Sequence, residues 1–283
     1  MTTDPGTGAS RCCEAAKEEP RFRVLTGPGL GPAASRNEGA AVAGGAFLAF
    51  TDSDVVPEAD WLVRGARALK TTGSAAIEGA VLPWGARDRD RMIRNLVNRD
   101  GGRYMTANMM YERELFDELG GFDPRFDDPP FLEDSDLAFR VLDHGVRIPF
   151  RPEVRVRHRD VELTPRRYVR ETAKLQWMPL LAAKHPRRYR SDLRPKVQAL
   201  RPGDLQLLSS LAASVALRRA PLGPRLLAWA WLALSARRVI RSAGIEHVPR
   251  AKRFPWILAA LTASGTRAFH LARGGLRFRK LAL

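Results

Sequence analysis

The sequence predicts an α/β domain over residues 1–160 followed by a mainly α-helical, basic region over residues 161–283. Three observations carry this division. Phe47-Leu48-Ala49-Phe50 is a short apolar run of the kind that forms a buried strand, and it stops abruptly at Asp52-Ser53-Asp54. In an open α/β sheet, ligands lie beyond the carboxyl ends of the strands, so a turn placed there can hold a divalent cation against a phosphate. Read alone, Asp-x-Asp is more often a solvated turn or a helix cap than a metal site. The charge is also unevenly placed: the chain carries +16, but residues 1–160 hold 22 Lys and Arg against 26 Asp and Glu, whereas residues 161–283 hold 25 against 5. Finally, three apolar blocks at 205–217, 226–236 and 254–266, each bounded by charge or proline, follow the change in charge.

Taken in order, Phe22-Arg23-Val24-Leu25 alternates as a strand does, and Gly27-Pro28-Gly29 ends it. The Ala-rich stretch 32–42 reads as a helix closed by Gly44-Gly45. Pro57 fits the first turn of a helix, where its missing N–H costs nothing, and Trp61 and Leu62 then point to the core. Residues 75–81 form the next strand. The polar segment 87–99 is helical by composition, with Met92, Ile93 and Leu96 on its inner face, and 106–110 is a short strand. Helix 113–119 ends at Gly120-Gly121, and Phe122-Asp123-Pro124 begins a loop long enough to cover a site. Beyond it, Leu137, Ala138, Val141 and Leu142 share one helical face, which puts Glu133, Asp134 and Asp136 in the first turn. Acids there favour the helix macrodipole by a few tenths to about 1 kcal/mol each, so capping explains them without catalysis; the same field predicts a carboxylate ionised at neutral pH. Closing strands follow at 146–150 and 154–156, separated by Arg151-Pro152, and then His158.

The ordered set Arg36-Asn37-Glu38-Gly39, Asp52-Ser53-Asp54, Trp61-Leu62, Asn108, Gly120-Gly121-Phe122-Asp123 and Glu133-Asp134 resembles the family 2 glycosyltransferases with the GT-A fold, over about residues 4–158. The resemblance implies a Rossmann-like mixed sheet with flanking helices. It also implies inverting transfer of a sugar from a nucleoside-diphosphate donor with the help of a divalent cation, Mn²⁺ or Mg²⁺. By the family's pattern Asp54 is the direct metal ligand, Asp52 contacts the ribose or supports the ion, and His158 completes the protein ligands. Arg36, Asn37 and Asn108 would line the nucleotide-sugar site, Asn108 on its acceptor side. Asp134 would be the catalytic base, with Glu133 as its substitute. Asp4-Pro5-Gly6-Thr7 resembles a degraded copy of the family's Asp-Asp-Gly-Ser turn, in which case the first strands of the nucleotide-binding half have no counterpart here; the same residues also suit an unstructured leader. An incomplete nucleotide pocket leaves open a non-catalytic GT-A-like protein that binds a membrane or a partner.

The three C-terminal blocks fall short of the roughly 18 to 20 apolar residues that a spanning helix needs. Trp229, Trp231 and Trp256 beside Arg237, Arg238, Lys252 and Arg253 suit helices lying on an anionic lipid surface, and a soluble bundle packed on the first domain is the alternative. A lipid surface would suggest a lipid-linked or cell-envelope carbohydrate acceptor. Nucleic acid is disfavoured as a partner, because the basic residues alternate with Leu, Ala and Trp and form no binding motif. The only cysteines are the adjacent Cys12 and Cys13, which suggests a reducing compartment, and the polar start Met1-Thr2-Thr3-Asp4 is no secretory leader. Together these predict a cytoplasmic protein, peripheral at the cytoplasmic membrane.

Overall fold

The computed structural model describes residues 22–26, 29–84, 93, 94, 96–195, 197, 199–245 and 248–280. Its strands are β1 (Phe47–Phe50), β2 (Val55–Pro57), β3 (Ala76–Pro83), β4 (Ile93–Arg94), β5 (Met109–Glu112), β6 (Phe150–His158) and β7 (Val161–Glu162). Five of them form a sheet in the order β1-β5-β3-β6-β2, and β4 pairs with β7 in a separate ribbon. Within the sheet β3 and β6 run parallel and the other neighbours antiparallel, so the sheet is mixed. The helices that matter below are α1 (Pro32–Val42), α2 (Trp61–Thr72), α3 (Arg113–Glu118), α4 (Glu133–Asp143), α5 (Pro165–Arg170), α6 (Met178–Lys184), α7 (Pro202–Ala216), α8 (Leu222–Ser242) and α9 (Arg253–Phe278).

Period-two alternation sorts the strand side chains to the two faces of the sheet. Ala76, Met109 and Tyr111 pack with Ala33 and Ala40 of α1, Phe116 of α3 and Leu137 and Val141 of α4. Ile77, Val81, Met110, Val154 and Val156 pack on the opposite side with Trp61, Ala68 and Leu69 of α2. The result is a three-layered α/β core of the predicted class, with the acidic turn at the end of β1.

Several local expectations fail for identifiable reasons. Residues 22–26 form no strand. Pro57 closes β2 opposite Val156, because β2 is an edge strand where a residue without an N–H is tolerated; α2 begins only at Trp61, and Leu62 is 60% exposed. Ile93 and Arg94 are strand, not helix, and Met92 lies outside the described residues. Thr106–Asn108 is a 3-10 turn ahead of β5. The closing region is one strand, with the register jumping from Arg151 to Arg155 between Gly79 and Ala80, so Pro152 sits in an irregularity that asks nothing of its nitrogen. The loop after α3 is anchored by the buried Phe122 and Phe126, and its Asp127, Pro130 and Phe131 line the cavities described below.

The described part of residues 161–283 packs directly against this core. Phe126, Leu132 and Phe139 share one cluster with Trp177, Met178 and Leu181, and with Leu271 of α9. Polar pins accompany the packing. Asp136, fully buried, bonds Lys184 Nζ at 2.6 Å, His185 Nε2 at 3.1 Å and Arg140 at 3.0 Å, while Lys184 reaches Asp123 at 2.7 Å. Burial alone would raise the Asp136 carboxyl; the His185, Lys184 and Arg140 partners outweigh it and hold it below the usual range. Among the described residues no helix is long and apolar enough to cross a membrane. Trp256 is buried against the Tyr168 ring and is not a surface anchor, whereas Trp229 and Trp231 are exposed.

Candidate active site

Two cavities adjoin at the carboxyl end of β1. The larger, about 690 Å³, is lined by Asp52, Asp54, His158, Arg167 and Lys174 among others. The smaller, about 340 Å³, is lined by Tyr104, Thr106, Phe131, Asp134, Leu193 and Val197 among others. Arg36, Asp52, Glu133 and Lys174 line both and so form the divide.

Helix α1 delivers Arg36. Its first amides are taken by Asp127, whose carboxylate accepts from Ala33 N–H at 2.8 Å and Ala34 N–H at 3.0 Å. Gly31, at φ 121°, lies so close that a Cβ there would meet Asp127 Cγ at 2.4 Å, which makes glycine obligatory at the entry to the helix. Arg36 then donates to Asp52 Oδ1 at 2.6 Å and to Glu133 Oε1 at 2.9 Å, bridging the acidic turn after β1 and α4. Burial would lower the guanidinium pKa, but the two carboxylates overcome it and raise it above the usual range. One cation thus fixes Asp52 and Glu133 in place.

Asp54 lies within a turn closed by Val55 N–H to Asp52 O at 3.2 Å, and its own carbonyl accepts from Arg159 N–H at 2.9 Å. That second bond ties the acidic turn to the end of β6, where His158 is only 3% exposed. His158 Nδ1 lies 2.7 Å from the Arg159 carbonyl oxygen. A carbonyl can only accept, so Nδ1 carries the proton and Nε2 is turned toward Asp54 Oδ1, 3.6 Å away. In the neutral ring a lone pair therefore faces a carboxylate, an arrangement that a cation between them satisfies. Among the described residues no three His, Cys, Asp or Glu side chains gather closely enough to hold a metal unaided. A carboxylate and an imidazole do fit Mn²⁺ or Mg²⁺ when phosphate oxygens and water supply the remaining positions.

Helix α4 begins after Leu132, which lies at φ 71° and makes no side-chain cap. Its three acids do not act alike. Glu133 serves Arg36, Asp136 serves the pin to α6, and Asp134 Oδ1 accepts from Ser135 N–H at 2.7 Å while lining the smaller cavity. Enclosure in the cavity wall, then the charge of Glu133, push the Asp134 carboxyl up to about 7. The helix-dipole expectation of a fully ionised acid at neutral pH is overturned by that enclosure. In the same cavity the buried Thr106 Oγ1 has no hydrogen-bond partner among the described residues.

Of the predicted site residues, Arg36, Asp52, Asp54, Glu133 and His158 converge on the larger cavity and Asp134 lines the smaller. Asn37 and Asn108 line neither. Asn37 uses both ends of its amide on Phe122, donating to its oxygen at 2.8 Å and accepting from its nitrogen at 2.9 Å. Asn108 is buried, donates to Ala80 O and Val154 O at 2.9 Å each, and accepts from Trp61 Nε1 at 2.8 Å. Both are pins between elements. Sequence reasoning missed Asp127, Arg167, Lys174 and Glu78. Glu78 is buried in β3 and accepts from Gly102 N–H at 2.6 Å, Arg103 N–H at 2.9 Å and Asn98 Nδ2 at 2.7 Å, shaping the segment that walls the smaller cavity. A single Glu inside an apolar strand was the available signal.

Residues 9–120 match the family model described as Glycosyl transferase family 2. The class this defines is a glycosyltransferase. The matched portion bears Arg36, Asp52 and Asp54 and stops short of Glu133, Asp134 and His158. No curated protein matches the chain. Among solved structures, the mannosyltransferase PcManGT from Pyrobaculum calidifontis in complex with GDP-Man and Mn²⁺ is similar at 18% identity and TM-score 0.46, covering 94% of this chain and 75% of its own. S. aureus TarS 1–349 is similar at 14% identity and TM-score 0.43, covering 93% and 79%. The same protein in complex with UDP-GlcNAc gives 13% and 0.40, covering 97% and 80%.

Proposed function

We propose that the chain is a metal-dependent, inverting glycosyltransferase that moves a sugar from a nucleoside-diphosphate donor to a lipid-linked or cell-envelope carbohydrate acceptor. The observation that carries the reading is the pairing of two cavities: Asp54 faces His158 in one, and Asp134, near neutrality in pKa, lines the other. The donor's diphosphate belongs in the larger cavity and the acceptor hydroxyl in the smaller. A divalent cation held by Asp54 and His158 would offset the charge developing on the departing diphosphate. The bond from the sugar's anomeric carbon to the phosphate oxygen breaks, with its electron pair going to that oxygen. The acceptor oxygen forms the new bond from the opposite face and gives its proton to Asp134. Arg36 keeps Asp52 and Glu133 in register across the divide.

Residues 1–160 act in this reading as the transfer domain and residues 161–283 as the helical region that completes both cavities and meets the cytoplasmic membrane. Exposed Leu222, Leu226, Leu227 and Trp229 on α8, with Arg225 and Arg237 on the same helix, support a peripheral contact with anionic lipid. One experiment covers both halves. A panel of nucleoside-diphosphate sugars is incubated with the protein, anionic or uncharged vesicles and Mn²⁺, and nucleoside diphosphate release and cosedimentation are measured. The expected result is release from one donor class and sedimentation with anionic vesicles only. Absence of release from every donor would sink the catalytic reading, and equal sedimentation with uncharged vesicles the electrostatic one.

A further inference from the structure

We propose that Arg167 and Lys174, both outside the segment matched by the family, bind the donor's diphosphate, with Lys174 placed at the oxygen that leaves. The inference rests on the donor-site reading above and adds the residues that recognise the phosphates. Arg167 and Lys174 line the larger cavity, and Lys174 lines the smaller as well. A side chain common to both stands where the bond between sugar and phosphate must lie if donor and acceptor occupy one cavity each.

The two phosphate-binding features that the transfer domain offers here are already used: Arg36 is committed to Asp52 and Glu133, and the first amides of α1 are committed to Asp127. Among the described lining residues of the larger cavity, the remaining cations are Arg167 and Lys174. Their acidic neighbour is shared, since Glu171 lies 2.8 Å from Lys174 Nζ and 3.8 Å from Arg167 Nε. One carboxylate between two cations leaves positive charge directed at the cavity. A diphosphate carries more negative charge than one divalent cation cancels, and this surplus complements the remainder.

Both residues also sit on fixed supports. The α5 helix that carries Arg167 is capped by Thr164, whose Oγ1 accepts from Arg167 N–H at 3.2 Å. The 3-10 segment Glu171–Trp177 that carries Lys174 is tied to α9 through Thr172 and Thr266 at 3.0 Å. This gives the C-terminal region a chemical role: it brings basic side chains to an acidic cavity that the transfer domain lines with carboxylates.

The test is calorimetric titration of the full chain with inorganic pyrophosphate in the presence of Mg²⁺. Lys174→Gln and Arg167→Gln are each expected to weaken binding by about tenfold, the loss of one charge-assisted contact. Lys174→Arg should retain most of the affinity, which separates loss of charge from loss of fold, and Arg273→Gln, an exposed cation elsewhere on α9, should bind as the parent does. Unchanged affinity in both Gln variants of a parent that binds would overturn this inference and leave the donor site standing. A parent that binds no pyrophosphate would overturn both together.

Discussion

Asp134→Asn should lower turnover by about 10²- to 10⁴-fold, the usual contribution of a positioned base, while leaving nucleoside diphosphate binding intact. The carboxyl titrates at about 7, being protonated below that pH and ionised above it, so the parent's rate should rise through pH 7 and then level off. The Asn variant should show no such rise. Glu133→Gln gives a second reading of the same group. The negative charge of Glu133 helps to raise Asp134, and its removal also relieves Arg36 of one of its two carboxylates; both effects move the rise to lower pH. Initial rates across pH for the three proteins decide this, and a parent-like rise in Asp134→Asn would remove Asp134 from the mechanism.

A large effect of a different kind is expected at residues that line neither cavity. Asp204, 1% exposed, accepts from Arg267 Nη1 at 3.0 Å, from Ser264 Oγ at 2.6 Å and from the Arg201 N–H at 3.0 Å, and Arg267 in turn reaches the Tyr168 hydroxyl at 3.0 Å. This cluster joins α5, α7 and α9, the elements that carry Arg167 and buttress Lys174. Asp204→Ala leaves the mostly buried Arg267 without its counter-charge and should cost roughly 3 to 5 kcal/mol of stability. The double variant Asp204→Ala/Arg267→Met removes both charges and should recover part of that loss. Urea unfolding followed by tryptophan fluorescence measures both, and a single-variant loss under about 1 kcal/mol would contradict the role given to the pair.

The contrast between what the sequence disclosed and what it hid follows the range of the interactions involved. Helix α1, strands β1 and β3 and the start of α4 were legible because apolar periodicity and local stop signals define them within a few residues. Strands β2 and β4, three and two residues long, exist through pairing with β6 and β7 and have no local signature. Pro57 misled for the same reason: only the finished sheet shows that it lies on an edge. The acidic turn, Arg36 and His158 were expected near one another from the family resemblance, and all of them line the larger cavity. Asn37 and Asn108 occupy the expected positions in the chain, yet their amides turn to Phe122 and to Ala80 and Val154, contacts that no local pattern specifies. The near-neutral Asp134 was hidden in a stretch that reads as an ordinary helix start, since its pKa depends on enclosure. Arg167 and Lys174 were lost among 25 basic residues of the C-terminal region until folding set two of them against the cavity.

The most direct test of the central claim, that Asp54 and His158 mark the donor site, is calorimetric binding of UDP, GDP and TDP with and without Mn²⁺ to the parent and to Asp54→Ala. The account predicts that one of the three binds the parent only when Mn²⁺ is present, and that Asp54→Ala abolishes this binding with no change in melting temperature. Metal-independent binding that survives Asp54→Ala would place the diphosphate elsewhere and contradict it.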